Sequence, residues 1–322
     1  MQRMNRKNGI WFLLIVAAFA ILFALTQANI INAYYRITLM TIMLNIIYAV
    51  GLNLVLGIAG QFSLGHAGFI AIGAYAAAIC TKAAANPWLG LLEGILLGVV
   101  ISVIVALLVG IPTLRLKGDY LAIATLGVAE IIRVLINNWR SITNGPAGIS
   151  GIPTVTNWMV VFVALVLTTI LVLNYNYSSV GRATRAIEQN EIAAEAMGVN
   201  VTKYKVMAFA MGAATAAIGG SLQATFLGIV TPKDYTFNRS IDILIIVVFG
   251  GMGSFTGSFI AAILLGLLNL FLQDYGQLRM IIYAVALILI MIFRPQGLLG
   301  TSEFKVGRLF KNTNSRDTKE VA

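Results

Sequence analysis

One histidine, His66, one cysteine, Cys80, and twelve acidic side chains are the whole stock from which 322 residues could build a metal site, a thiol centre or acid–base chemistry. His66 has no acid, serine or second metal ligand at motif spacing, and Cys80 has no other thiol in the chain to pair with. Neither a Gly-Lys-Ser/Thr phosphate loop nor a nucleophile elbow occurs. Catalysis by this chain is therefore not expected, nor is a metal or cofactor of its own. What the sequence does set at informative spacing is glycine. Gly57-Ile-Ala-Gly60-Gln61-Phe62-Ser63-Leu-Gly65-His66-Ala-Gly68 holds four glycines in twelve residues, and Gly250-Gly-Met-Gly253-Ser-Phe255-Thr-Gly257 repeats its G-x-x-G-x-F pattern. Glycine permits non-helical turns and close backbone approach, and amides freed inside a membrane can face a polar solute where protein or water shields them from lipid. Asn53, Gly60, Gln61, Ser63, His66, Gly250 and Gly253 are accordingly the candidate residues of a solute path or gate. The competing role is structural: tight packing at the glycines, and interhelical hydrogen bonds from Asn53, Gln61, Ser63 and His66.

The elements that must carry these residues are helices in a bilayer. The chain is 59% apolar and 11% charged, with mean hydropathy +0.89, against roughly 25% charged in soluble domains. That excludes a soluble monomer. Stretches of about 20 apolar residues cross a ~30 Å hydrocarbon core, and such runs fall at 10–26, 37–56, 64–81, 88–111, 119–137, 158–173, 205–228, 241–257, 258–273 and 279–293. The expected fold is an all-α polytopic membrane bundle of about ten transmembrane helices. The net charge of +10 reads as topology rather than nucleic-acid binding. With the N-terminus inside, fifteen Lys/Arg fall on inner segments and seven (Arg36, Lys82, Arg133, Arg140, Lys233, Arg239 and Arg279) outside or near outer span ends, so both termini are expected in the cytoplasm. Residues 1–304 would form the transmembrane domain, with its largest inner loop at 174–204, and 305–322 a polar cytoplasmic tail. Residues 138–157, with Gly145-Pro146, would form an outer loop of turns. Glu130 and Arg133, three apart on one helical face, can neutralise each other. Asp119, Glu93 and Asp242 fall in first turns of expected spans, where the helix dipole favours an acid. Trp11, Trp88, Trp139 and Trp158 fall at span ends, as an interfacial belt would place them.

The inner loop reads as one helix from Arg182 to Met197, stopped by Gly198 and Asn200. Ala183, Ile187, Ala194 and Met197 share one flank, a small-residue face suited to a groove on a partner. Arg182, Arg185, Glu188, Glu191 and Glu195 make up the polar remainder. From periodicity alone a solvated interfacial helix joining two spans is the plainer reading.

Glu191-Ile-Ala-Ala-Glu-Ala-Met-Gly198 resembles the E-A-A…G loop of ABC importer permeases, the coupling helix that sits in a cleft of the ATPase subunit. Further stretches in the same order are similar to the LivM type of the LivH/LivM permease family: Gly51-Leu-Asn-Leu-Val-Leu-Gly-Ile-Ala-Gly-Gln-Phe-Ser-Leu-Gly-His-Ala-Gly68, Leu114–Gly127, Gly145–Pro153, Gly250–Ser254 and Phe293–Leu299. The likeness covers roughly residues 37–300. It implies a type II-like importer permease in the bacterial inner membrane that moves branched-chain amino acids. The implied partners are a LivH-like second permease, two ATPase subunits that hold the ATP and Mg, a periplasmic amino-acid-binding protein and the lipid bilayer, with no nucleic acid. Arg182, Arg185, Glu188, Glu191, Ala194, Glu195 and Gly198 would then be the ATPase-coupling residues. A urea or short-amide permease of the same family is the near alternative. An ATP-independent secondary transporter is the distant one, and it would need an intramembrane acid for ion coupling, whereas the acids here cluster near span ends.

Overall fold

The computed structural model describes residues 32–272, apart from Arg115 and Lys117, and isolated positions to either side. The expected spans 10–26 and 279–293 and the tail 305–322 lie outside the described residues save for a few of those positions. Within them the fold is a helical bundle. α1 (Ala33–Asn53) runs on through a π-helical turn (Leu54–Ile58), followed by α2 (His66–Ala83), α3 (Pro87–Thr113), α4 (Asp119–Asn138) and α5 (Trp158–Tyr177). Two short helices, α6 (Ser179–Gln189) and α7 (Glu191–Ala196), lead to α8 (Val201–Leu227), α9 (Phe237–Gly250) and α10 (Phe255–Phe271). Each expected span from the second to the seventh coincides with one helix. Four stretches, Tyr34–Ile58, Pro87–Thr113, Trp158–Tyr177 and Val201–Leu227, are long and apolar enough to cross a membrane, and the bent pair α9–α10 makes up to a fifth. The chain is a multi-pass membrane protein.

The eighth and ninth expected spans are redrawn. The sequence divides them at 257/258, whereas the chain breaks at Gly251–Ser254 and turns by 119°. Gly251 and Gly253 take φ +113° and +85°, values open to glycine, and Ser254 then caps α10 by accepting from Gly257 N. α10 runs back along α1, with Ser258 beside Asn53 and Gly266 against Ile42.

The two ends of the bundle are distinct. At the far end Asn86 caps α3 and Pro87 occupies its first turn. There a two-residue ladder, β1 (Ile149–Ser150) with β2 (Ile229–Val230), ties the 138–157 loop to the turn after α8. Lys82 Nζ donates to Ser150 O there, 3.0 Å away. α6 and α7 mark the opposite, loop end. Of the tryptophans, Trp88 and Trp139 are exposed at span ends, but Trp158 is buried against Phe19 and Phe162, so it belongs to the core rather than to a belt.

The centre is made of α2, α3 and α8, packed backbone to backbone. α3 turns inward Gly90, Gly94, Gly98, Ser102, Ala106 and Gly110, one small residue every fourth position. A Cβ at Gly90, Gly94 or Gly98 would press on Thr81, Ala77 or Gly73 of α2, while Gly98 also faces Ser221 of α8 and Gly110 faces Phe209. Ser221 Oγ donates to Gly73 O across the crossing, 2.9 Å away. Small residues let helices approach where lipid gives no hydrophobic drive for association. Gly94→Leu is expected to cost at least about 1–3 kcal/mol through overpacking, read as a lower melting temperature of the purified protein. Leu96→Val, on the 66%-exposed side of the same helix, should leave that temperature unchanged.

Candidate functional site

The inner loop is two helices, not the single one expected over Arg182–Met197. Asn190 is extended (φ −157°, ψ 103°) and its side chain accepts from Ala193 N, so it ends α6 and caps α7. Asparagine is a far better cap than helix former, and that local preference wins over the surrounding helix formers. Ser178 caps α6, Asn200 caps α8, and Gly198, at φ +83°, turns the chain between them.

The break also overturns the expected docking flank. Ile187 and Ala194 are buried within the protein's own bundle, while Met197 is 84% exposed. The apolar residue that joins Met197 at the surface is Ile192, 78% exposed, which the sequence reading missed because no unbroken helix sets the two on one stripe. Of the polar set, Arg182, Arg185, Glu188 and Glu195 are exposed. Arg182 Nη1 donates to Tyr177 O (3.0 Å), and Glu191 pairs with Lys205 (3.0 Å), fastening α7 to α8. The loop touches the first glycine segment directly: Gly60, at φ +64°, lies on the Glu188 side chain.

That segment and its counterpart come together. Asn53, fully buried, accepts from Gly253 N (2.8 Å) and donates through Nδ2 to Ser254 O and Ser258 Oγ (2.9 Å each). Gly57 stacks on Gly253, and Gly250 on Gly257, with no room for a Cβ at Gly57 or Gly250. So Asn53, Gly250 and Gly253 form a bracket at the loop end, and their bonds are of the interhelical kind. Gln61, Ser63 and His66 go elsewhere. After the π-turn the chain re-enters the bundle, Leu64 N donating to Thr125 Oγ1 (3.1 Å) and Ser63 Oγ accepting from Gly65 N (3.3 Å). Gly65 and Gly68 then lie against Thr125 and Ala129, well along α4. Both amide atoms of Gln61, and Nε2 of His66, are buried without a hydrogen-bond partner among the described residues.

α2 therefore starts inside the bundle, and so does α9. Ala67 N donates to Ser240 Oγ (3.0 Å) across the point where both begin. From it α2 runs to the far end and α9 to the bracket. At 14 residues α9 is about 21 Å long, short of the ~30 Å core. Arg239, counted from sequence near the outer face, instead sits level with the middle of α1. Its Nη2 donates to Asn45 Oδ1 (3.0 Å) and its guanidinium lies 5.4 Å from the centre of the Tyr48 ring. Tyr48 donates in turn to Gln223 Oε1 (2.7 Å). Asp242 lies in the second turn of α9, past the reach of the dipole argument that places it in a first turn. Glu130 and Arg133 do pair, Nη2 to Oε2 at 2.6 Å. The sequence pattern carried no sign of the Arg239–Tyr48 cluster, whose members are far apart in the chain.

Helices that start and stop within the bundle, under a small two-helix loop, are the interrupted kind of span that recurs in membrane transporters. The sequence matches, over residues 34–293, the family described as branched-chain amino acid transport system / permease component, and the chain belongs to that family. It is 36% identical to the high-affinity branched-chain amino acid transport system permease protein LivM of Salmonella typhimurium, over 80% of this chain and 68% of that protein. The LivH permease protein of Escherichia coli K12 is 25% identical over 79% of this chain and 91% of its own. A probable LivM of Methanocaldococcus jannaschii is 26% identical over 77% and 78%. No solved structure matches the chain.

Proposed function

We propose that this chain is one of two permease subunits of an ATP-driven importer of branched-chain amino acids in the bacterial inner membrane. Its relatives of the LivM type support the substrate class. The chain's own weaker likeness to LivH supports a partner permease of that kind, and the pair is served by two ATPase subunits and a periplasmic binding protein. Both termini lie in the cytoplasm, which puts the α6–α7 loop where an ATPase can reach it. The observation that carries the reading is that loop: Ile192 and Met197 stand out from a solvated helix pair whose Glu188 rests on the glycine segment leading into α2. A push on α6–α7 reaches Gly60 first and, six residues on, the start of α2. Arg182, Arg185, Glu188, Glu191, Glu195 and Gly198 shape the coupling loop, and Ala194 anchors it from within.

Uptake of radiolabelled leucine, with urea in parallel, tests this in cells with and without the gene, before and after the membrane potential is collapsed at preserved ATP. Leucine uptake should require the gene and survive the collapse. Uptake that vanishes with the potential would return an ion-coupled transporter, and gene-dependent import of urea alone would overturn the substrate.

A further inference from the structure

Two helices start at one place inside the bundle and run apart, and what gathers where they start is positive. α2 and α9 both turn their N-terminal dipole ends to this junction, and Arg239 adds a full charge. The described partners of Arg239 are neutral, the Asn45 amide and the Tyr48 ring, and no carboxylate among the described residues lies within ion-pairing distance of it. Asp242 follows Arg239 by three residues and so lies on the same side of α9, but it is exposed and makes no ion pair with Arg239 among the described residues. A charge at such depth calls for a counter-charge. A second mark of a ligand is independent of the helix ends. His66 is 4% exposed, its Nε2 has no hydrogen-bond partner among the described residues, and the next residue, Ala67, is hydrogen-bonded to Ser240, which follows Arg239. The Tyr75 hydroxyl is also buried and without a hydrogen-bond partner among the described residues, with its ring 6.5 Å from that of Tyr235, just ahead of α9. Phe237 and Asn238, in the first turn of α9, are exposed.

We infer that this junction binds the carboxylate of a small amino acid, with Arg239 as the charged contact, the N-terminal dipole ends of α2 and α9 beside it, and His66 Nε2 against the same ligand. The inference rests on the importer reading and deepens it, giving the substrate's carboxylate a place on this chain. Interrupted helices with their N-termini turned to an anionic group are a recurring solution in transporters, and a guanidinium meets a carboxylate with two parallel bonds where an ammonium offers a point charge.

The test uses the assembled permease pair with its ATPase subunits in nanodiscs, without the binding protein, and measures tritiated leucine binding at equilibrium. 4-Methylpentanoate, which is leucine without its amine, should compete. 3-Methylbutylamine, which lacks the carboxylate, should not. Arg239→Gln should weaken leucine binding at least about tenfold, with Arg239→Lys falling between it and wild type, while the melting temperature of the complex holds. A purely structural arginine would not sort ligands by their carboxylate. Wild-type binding by Arg239→Gln, equal competition by the amine, or no saturable binding in a complex that imports leucine would each overturn the site. A wild-type complex that imports no leucine yet binds 4-methylpentanoate through Arg239 would instead overturn the importer reading and leave the carboxylate site standing.

Discussion

Ile192→Asp combined with Met197→Asp is expected to abolish ATP-driven uptake, a fall of at least about a hundredfold, while the protein inserts and accumulates as wild type. The two side chains are 78% and 84% exposed, so the fold does not depend on them. Fully burying an aliphatic side chain contributes about 1.5–3 kcal/mol, each 1.4 kcal/mol is tenfold in affinity, and a carboxylate driven into the same groove adds desolvation cost. The readouts are uptake and copurification of the ATPase subunits, both of which should fail together. Wild-type uptake with full copurification would remove α6–α7 as the coupling contact. Ala194→Asp is a poor substitute for this experiment. Ala194 is buried beneath α7, so an acid there has to be buried in the bundle or unseat the helix, and lost transport would then report lost protein.

Asn53→Leu is expected to lower stability by about 2–4 kcal/mol. Asn53 binds three groups of the bent pair with both ends of its amide, in a fully buried position. Leucine has nearly the volume but none of the bonds, so Gly253 N–H loses its acceptor in the interior, at about 1–3 kcal/mol, and the bonds to Ser254 O and Ser258 Oγ are lost with it. Ser258→Ala removes one neutral partner and should cost about 1 kcal/mol. Thermal unfolding of the two purified variants orders them, and an Asn53→Leu protein as stable as Ser258→Ala would show that glycine packing alone holds the bend.

Much of the bundle was legible from runs of apolar residues, because a span of hydrocarbon-crossing length leaves a signal that local preferences seldom erase. α1 to α5 and α8 fall within a few residues of their expected places. What was hidden depended on single residues acting out of register with the run around them. Gly251 and Gly253 break an apolar stretch that hydropathy reads as continuous, and Asn190 breaks a run of helix formers. The pattern shared by the two glycine segments looked like a repeat, and the segments turn out to be two halves of one contact, Gly57 upon Gly253. Arg239 was unreadable for a different reason. Counting cations assigns each charge to a face of the membrane, and a cation held at depth by Asn45 and Tyr48 is invisible to any count.

The small residues of α3 recur at every fourth position from Gly90 to Gly110, on a helix that turns once in 3.6. Each rung is therefore rotated about 40° from the one before, and over five steps the rank winds about halfway round the helix. It works as a screw thread, engaging α2 at Gly90, Gly94 and Gly98 and handing over to α8 from Gly98 to Gly110. A threaded rod does not slide. To move along its neighbours by one rung, about 6 Å, α3 must also turn by those 40°, and any shorter travel sets backbone against backbone.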